Sequence, residues 1–454
     1  GTQQYTGNSF NISANMGHSD GWNTGGQSTE TFFPNKEHTF AIKDSYRYKH
    51  NLKPQMEARL FAYADSINTI NVKVKATYEK ARKSYEERSA SYGYQPDQFA
   101  YHSLNEALAA KPGDALYDRL ITRNRNYESS EHQKRGLNIS YEWQHFIGKK
   151  GSFTLQGYTN LSGTDEDTHT NRNVGYLREQ RNETLWQYYD RNDHDMETLL
   201  GASLEHWLGK KVYFNIYDNV SYQRTRIARD FFSDTDERNV ANGTPTTTDP
   251  ANTMRNLTHK WKNELAVKST ITPVKALMIM PKFRWNINRE KADYLYGTLD
   301  TTAVRTSHSY EPSIFLKWKM SRVRNMDIAF AYNTSVPELV STLGYRNTID
   351  PLQIYTGNPL LRNSHSHTTT YNYHRMWLRK QIVLGVSASY NKDINPVATL
   401  YSYNSATGVY ESKPTNVKGG DTWKFGFNYD QGIGFYFRLM NKFALETAKS
   451  YGFL

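Results

Sequence analysis

The sequence predicts an all-β fold. It reads as a large antiparallel transmembrane β-barrel, incomplete at about 15–16 strands of a larger one, with short periplasmic turns and long extracellular loops. Three observations predict it. Apolar and polar residues alternate with period two through many segments, the mark of a half-buried strand. The connections between these segments alternate between short and long. The composition excludes a helical membrane protein: only 37% of residues are hydrophobic, although 14% are aromatic, including 34 Tyr. No window holds the roughly 18 apolar residues of a spanning helix, whereas in a membrane barrel only every second residue meets lipid.

The alternation is clearest in Thr69–Glu79. There Ile70, Val72, Val74, Ala76 and Tyr78 share one face, and Asn71, Lys73, Lys75, Thr77 and Glu79 the other. It recurs in Leu137–His145, Val212–Tyr222, Trp261–Ile271, Tyr310–Met320, Ile382–Tyr390 and Trp423–Tyr429. These lengths suit the roughly 9–11 residues of a tilted membrane strand. Fifteen segments are expected, starting near Ser9, Pro54, Thr69, Arg135, Gly151, Met196, Val212, Asn256, Ala276, Ser307, Asn325, Ser364, Lys380, Thr422 and Ile433. Tight turns are expected at Asp65–Asn68, Gly148–Lys150, Gly209–Lys211, Thr272–Lys275, Ser321–Arg324, Met376–Arg379 and Gln431–Gly432. Long polar loops are expected at Gly17–Lys53, Lys80–Lys134, Ser162–Asp195, Arg226–Arg255, Arg289–Thr306, Ser335–Asn363 and Asn391–Asp421.

Short turns on one rim and long loops on the other are the design of outer-membrane barrels. His38–Tyr48 has strand character, but as a spanning strand it would break the rhythm, so it is placed in the first loop as a projecting hairpin. Trp143, Trp207, Trp261, Trp285, Trp318 and Trp423 fall in alternating segments and suit aromatic girdles. The polar stripe suits a wet lumen, because a Lys or Arg facing lipid at midplane costs about 2–4 kcal/mol. In the longest loop, Ser103-Leu-Asn-Glu106 is a capping box opening a short helix.

Two stretches resemble a known family. Glu57–Lys75 carries an Asp-Ser-x-Asn turn between strands, with Asp65, Ser66 and Asn68. Val336–Tyr373 carries Pro337 and Leu339, then Asp350 and Pro351, then Gly357, Asn358, Pro359 and Leu361 before an alternating strand. Both are similar to the barrels of TonB-dependent receptors within the outer membrane protein beta-barrel family, although Arg362, Asn363 and Ser364 depart from that family's usual continuation. The resemblance implies residence in the outer membrane, a plug domain, and coupling to the TonB energy-coupling complex through that plug. On this reading residues 1–454 are a partial barrel domain, with the plug domain, N-terminal region and final strands absent. An odd strand count puts the two ends on opposite rims.

The candidate function is therefore barrel wall and extracellular ligand-capturing loops of a transporter for nutrient uptake. The imported ligand is a siderophore, glycan or peptide, and outer-membrane lipid is the other partner. The alternatives are a passive porin-like channel and a soluble or surface all-β carbohydrate-binding or adhesin protein. Loop aromatics Tyr176, Trp186, Tyr188, Tyr189, Phe231 and Phe232 are candidates to stack on ligand. No enzyme motif, catalytic residue or cofactor site is found, and no metal site is assigned. The absence of cysteine removes thiol chemistry and Cys-based metal sites. His365 and His367 share a strand face, and Asp165-Glu166-Asp167 and Asp234-x-Asp236-Glu237 are acidic clusters that Ca²⁺ could use, but solvated loop charge explains these as well. The net charge of +11 does not indicate nucleic acid, because the Lys and Arg are scattered.

Overall fold

A computed structural model describes residues 7–32, 38–93, 103–404, 407–434 and 436–451. In chain order the first strands are β1 (Ser9–Phe32), β2 (His38–Tyr63), β3 (Asn68–Gly93), β4 (Leu120–Ile147), β5 (Gly151–Tyr176), β6 (Arg181–Leu208) and β7 (Val212–Asp234). The short pair β8 (Val240–Ala241) and β9 (Thr244–Pro245) precedes β10 (Met254–Val274), β11 (Leu277–Tyr296), β12 (Leu299–Ser321) and β13 (Arg324–Ser335). Then come β14 (Arg346–Asp350), β15 (Gln353–Thr356), β16 (Ser364–Trp377), β17 (Ile382–Ile394), β18 (Val397–Asn404), β19 (Val409–Asn416), β20 (Asp421–Ile433) and β21 (Phe437–Lys449).

Fifteen of these form one antiparallel meander, β1-β2-β3-β4-β5-β6-β7-β10-β11-β12-β13-β16-β17-β20-β21. This is the expected strand number. The sheet is not closed, since β1 and β21 are its two ends. β1 begins beside the end of β2, where Ser9 opposes Phe61, and β21 finishes at the other rim, where Lys449 opposes Asp421. No helix among the described residues is long and apolar enough to cross a membrane.

The short turns lie along one rim. Six of the seven are tied to the next strand by a backbone bond: Phe146 to Ile67 (2.8 Å), Trp207 to Lys150 (2.9 Å), Thr272 to Lys211 (2.7 Å), Lys319 to Ala276 (2.7 Å), Met376 to Val323 (2.8 Å) and Gly432 to Gln381 (3.0 Å). The turn expected at Gln431–Gly432 comes slightly later, at Gly434, because Gly432 and Ile433 still pair in β20.

The register carries one apolar stripe from strand to strand. Ile12, Ala58, Val74, Ile139 and Thr159 stand side by side on β1 to β5. Ile314, Phe330, Thr369, Tyr390 and Trp423 do so on β12 to β20. Five of the six tryptophans point this way. The exception is Trp207, which opposes Tyr213 on the other face. That other face is a ladder of polar pairs. Lys73 meets Glu57 at 3.0 Å, Tyr158 donates to Glu197 at 2.7 Å, Lys262 meets Glu264 at 3.0 Å, and Arg284 pairs with Glu311. One face suits lipid and the other a wet lumen.

The expected loops need correction. In five of the seven, the chain continues as strand for much of the stretch. β4 and β6 each run 28 residues and β5 runs 26, against the roughly 9–11 needed to cross. His38–Tyr48 is the upper half of β2, pairing with both β1 and β3. Elsewhere above the belt polar residues on both faces erase the alternation, yet backbone pairing needs no apolar face. The loop at 94–119, partly outside the described residues, holds the expected helix α1 (Leu104–Ala109). Ser103 accepts from the Glu106 backbone N–H at 3.3 Å, and Glu106 accepts in return from the Ser103 N–H at 2.9 Å. α1 packs Ala107 and Ala110 against Ala90, Leu120 and Leu177.

Candidate functional site

The two remaining loops fold into a second sheet with the order β14-β15-β19-β18. β15 and β19 come from different loops and pair in parallel, with Ile354 opposite Glu411. The Gly-Asn-Pro segment locks them together. Asn358 is buried; its side-chain amide donates to the Pro414 carbonyl at 2.7 Å, and its side-chain oxygen accepts from the Leu360 N–H at 3.0 Å. Gly357 lies where a Cβ would run into the Leu343 carbonyl, so only glycine fits. Asn416 donates to the carbonyls of Arg362 (3.0 Å) and Asn395 (2.8 Å), joining both loops.

This small sheet lies over the polar face of the tall strands as a cap. Asp350 accepts from Arg172 of β5 at 2.5 Å, and the Ile349 carbonyl accepts from Gln187 of β6 at 2.9 Å. Thr348 bonds Asn252 at 3.2 Å, Tyr410 reaches Thr39 of β2 at 3.1 Å, and Gly408 sits against Thr122 of β4. The preceding stretch packs Leu343 and Tyr345 on Tyr294 and Tyr296 of β11. Burial pushes the Tyr296 hydroxyl up to about 12.

Between the cap and the upper wall polar side chains gather in a buried, closely packed layer, the chamber. Arg191 binds Glu166 at 3.3 Å and Asp193 at 2.5 Å, and Arg229 stacks over Tyr189 at 5.0 Å. Burial, then the nearby Glu166 charge, raises the Glu128 carboxyl above the ordinary range, and burial lowers His132. The Asn124 and Asn126 side-chain carbonyls, Thr168 Oγ1, Arg172 Nε, one Asp193 oxygen and Arg229 Nε are buried without a hydrogen-bond partner among the described residues. Each such group costs about 1–3 kcal/mol unless something polar meets it. The chamber therefore gathers buried donors and acceptors of both charge signs beneath the cap.

Strand geometry sorts the six candidate aromatics. All lie in the upper parts of β5, β6 and β7 rather than in loops, and alternation divides them. Tyr176, Tyr189 and Phe231 face the chamber, with Tyr189 stacked on Phe231 at 6.1 Å. Trp186, Tyr188 and Phe232 face outward, where Tyr188 meets His169 at 4.8 Å and Phe232 at 5.8 Å and donates to Asp167 at 2.8 Å. Arg172, Gln187, Arg191 and Arg229 were not singled out from sequence. The available signal was the Thr-Gly pair at 407–408 between two aromatic and β-branched runs, which marks the β18–β19 hairpin of the cap.

The motif residues serve the frame. Asp65 accepts from the Ile67 N–H at 2.8 Å and from Asn68 at 2.7 Å, closing the turn that Ser66 occupies, and Asn68 also bonds His145 at 3.0 Å. The Pro337 carbonyl accepts from Arg305 at 2.6 Å, Pro351 follows Asp350 at the β14–β15 turn, and Pro359 follows the buried Asn358. His365 and His367 do share a face, but in the outward aromatic run. His365 stacks on Tyr332 at 5.7 Å, and His367 lies 5.9 Å from Tyr390. In the first acidic cluster Glu166 faces inward while Asp165 and Asp167 face outward. In the second, Asp234 and Asp236 accept from nearby backbone at 2.8 and 3.0 Å.

Residues 291–452 match the outer membrane protein beta-barrel family. No curated protein matches the chain. Among solved structures it is similar to the alcaligin outer membrane receptor FauA from Bordetella pertussis, at 8% identity over 96% of this chain and 62% of that one, TM-score 0.37. It is similar also to the siderophore receptor PiuA from Acinetobacter baumannii, at 9% over 96% and 64%, TM-score 0.43. A third is the copper transporter OprC, at 8% over 97% and 62%, TM-score 0.49. The chain thus spans less than two thirds of the length of each. The outer-membrane barrel fold and location expected from sequence are met by the family match and by the interleaved faces.

Proposed function

We propose that this outer-membrane barrel wall serves a TonB-dependent transporter for nutrient uptake, with the capped chamber as its ligand-capturing mouth. The observation that carries this reading is the cap itself: a sheet built from two loops, laid over buried polar groups that lack partners. A passive pore has less use for a roof anchored by Arg172, Asn252 and Thr39. The guest is hydrophilic, of the siderophore, glycan or peptide class. Arg172, Arg191 and Arg229 supply cationic donors and the half-buried Tyr189, backed by Phe231, an aromatic face. A plug domain carried by the rest of the protein fills the lumen and couples to the TonB complex, while the chain itself does no bond chemistry.

The test is uptake by cells expressing the full-length protein. Radiolabelled ferric chelates, oligosaccharides and peptides are supplied with and without the proton-motive force. Energy-dependent uptake of one class, weakened about tenfold or more by Arg172→Gln, is the expected result. Energy-independent passage of all small solutes would replace the transporter with a porin. Equal uptake by wild type and Arg172→Gln would remove the chamber from ligand capture.

A further inference from the structure

We infer that the outward face of the wall carries a docking site for a membrane lipid with a phosphate-bearing headgroup, formed by Arg135, His194, Arg224 and Arg226. The inference rests on the membrane assignment of the wall and is independent of what the mouth imports.

A groove of about 560 Å³ opens across β4 to β7. The register puts Arg135 of β4, His194 of β6, and Arg224 and Arg226 of β7 on the same outward face as the apolar stripe. Leu161 and Met196 line its lower edge, and Gly163 keeps a side chain out of it, since a Cβ there would approach His194. The groove thus has an apolar edge continuous with the lipid belt and a cationic edge just above.

Its height on the wall fits headgroups. Tyr222 and Trp261 lie 4.5 Å apart on the outward face, and such aromatic girdles mark the level where lipid gives way to water. Arg224 is two residues beyond Tyr222, roughly 7 Å along the strand, and Arg226 roughly 7 Å further. His194 is likewise two beyond Met196, and Arg135 two beyond Leu137.

The pairing pattern separates these arginines from the others on this face. Further from the membrane, Arg82 binds Glu131 at 3.1 Å, Arg125 binds Glu86 at 3.0 Å, and Arg88 binds Asp44. Arg135, Arg224 and Arg226 have no carboxylate partner or hydrogen bond among the described residues. A guanidinium fork matches phosphate geometry, and cations at a membrane surface draw anionic lipids. Charge complementarity and continuity with the belt thus point to a lipid as the occupant.

The full-length protein is titrated in neutral-detergent micelles with phosphatidylglycerol, phosphatidylcholine or inorganic phosphate, and retained lipid is counted by native mass spectrometry. We expect phosphatidylglycerol to be retained in preference to phosphatidylcholine. The Arg224→Gln/Arg226→Gln variant is expected to bind phosphatidylglycerol roughly thirtyfold more weakly. Arg224→Lys/Arg226→Lys keeps most of the binding and decides the matter if the glutamine variant does not fold. Lys149→Gln/Lys150→Gln, on the short-turn rim, leaves it unchanged. Equal retention of both lipids, or undiminished binding by the folded glutamine variant, overturns the site. Competition by inorganic phosphate at the lipid's own concentration overturns its assignment to a lipid.

Discussion

The first ten strands of the wall and the last five solve the same problem differently. β1 to β7 and β10 to β12 run 20 to 28 residues and keep pairing far above the lipid belt. β13, β16, β17, β20 and β21 run 12 to 14 residues. In this half the chain above the belt leaves the wall and folds into the cap. Proline marks the divide. β13 pairs with β12 only from Ser313 onward, just past Pro312, and Pro337 and Pro396 follow the ends of β13 and β17. Pro312 has no N–H to offer β13, although β12 stays paired with β11 through it. The tall half therefore forms the chamber's walls, and the short half supplies its roof.

The largest expected effect tests whether the two halves share one lipid belt. Leu200→Arg in β6 and Phe427→Arg in β20 should each cost about 2–4 kcal/mol in denaturant unfolding of the full-length protein. A loss in one half only would mean that the stripe does not run through both. Next comes the cap. Gly357→Ala should loosen it by about 1–3 kcal/mol, read as faster hydrogen exchange in β14, β15, β18 and β19 while the tall strands keep their protection. Faster exchange throughout would show that roof and walls form one cooperative unit. Asp350→Asn weakens the partly exposed pair with Arg172 by about 1 kcal/mol or less, seen as faster exchange at Thr348 and Ile349.

The smallest effect is a pH dependence of the chamber. Glu128 titrates above its ordinary value in the folded protein, so the folded state holds this proton more tightly than the unfolded state. Its contribution is fully present below the ordinary glutamate value, about 4.3, and is lost as pH rises through the raised value. Protection of upper β4 should fall across that window in wild type and stay flat in Glu128→Gln. A step of equal size in the variant would assign the titration elsewhere.

The wall was legible wherever lipid meets it. Ile70, Val72 and Val74 alternate with Asn71, Lys73 and Lys75 because two solvents select them, and that contrast located fifteen strands. Above the belt, residues 80–89 carry polar or charged side chains on both faces, so the contrast vanishes although the ladder continues. The roof was hidden for another reason. Ile354 and Glu411 pair across more than fifty residues, and no local pattern announces a parallel pairing between two loops. The six aromatics were found as a group, but only strand parity reveals that they serve two different surfaces.

The parallel seam between β15 and β19 has a consequence for how such a mouth can be altered. Neither loop can form the roof alone, because each supplies one side of the seam. A chimera that exchanges residues 336–363 without 395–420 leaves a strand edge facing a stranger. Any change of guest that reshapes this roof must therefore be inherited as a matched pair of segments.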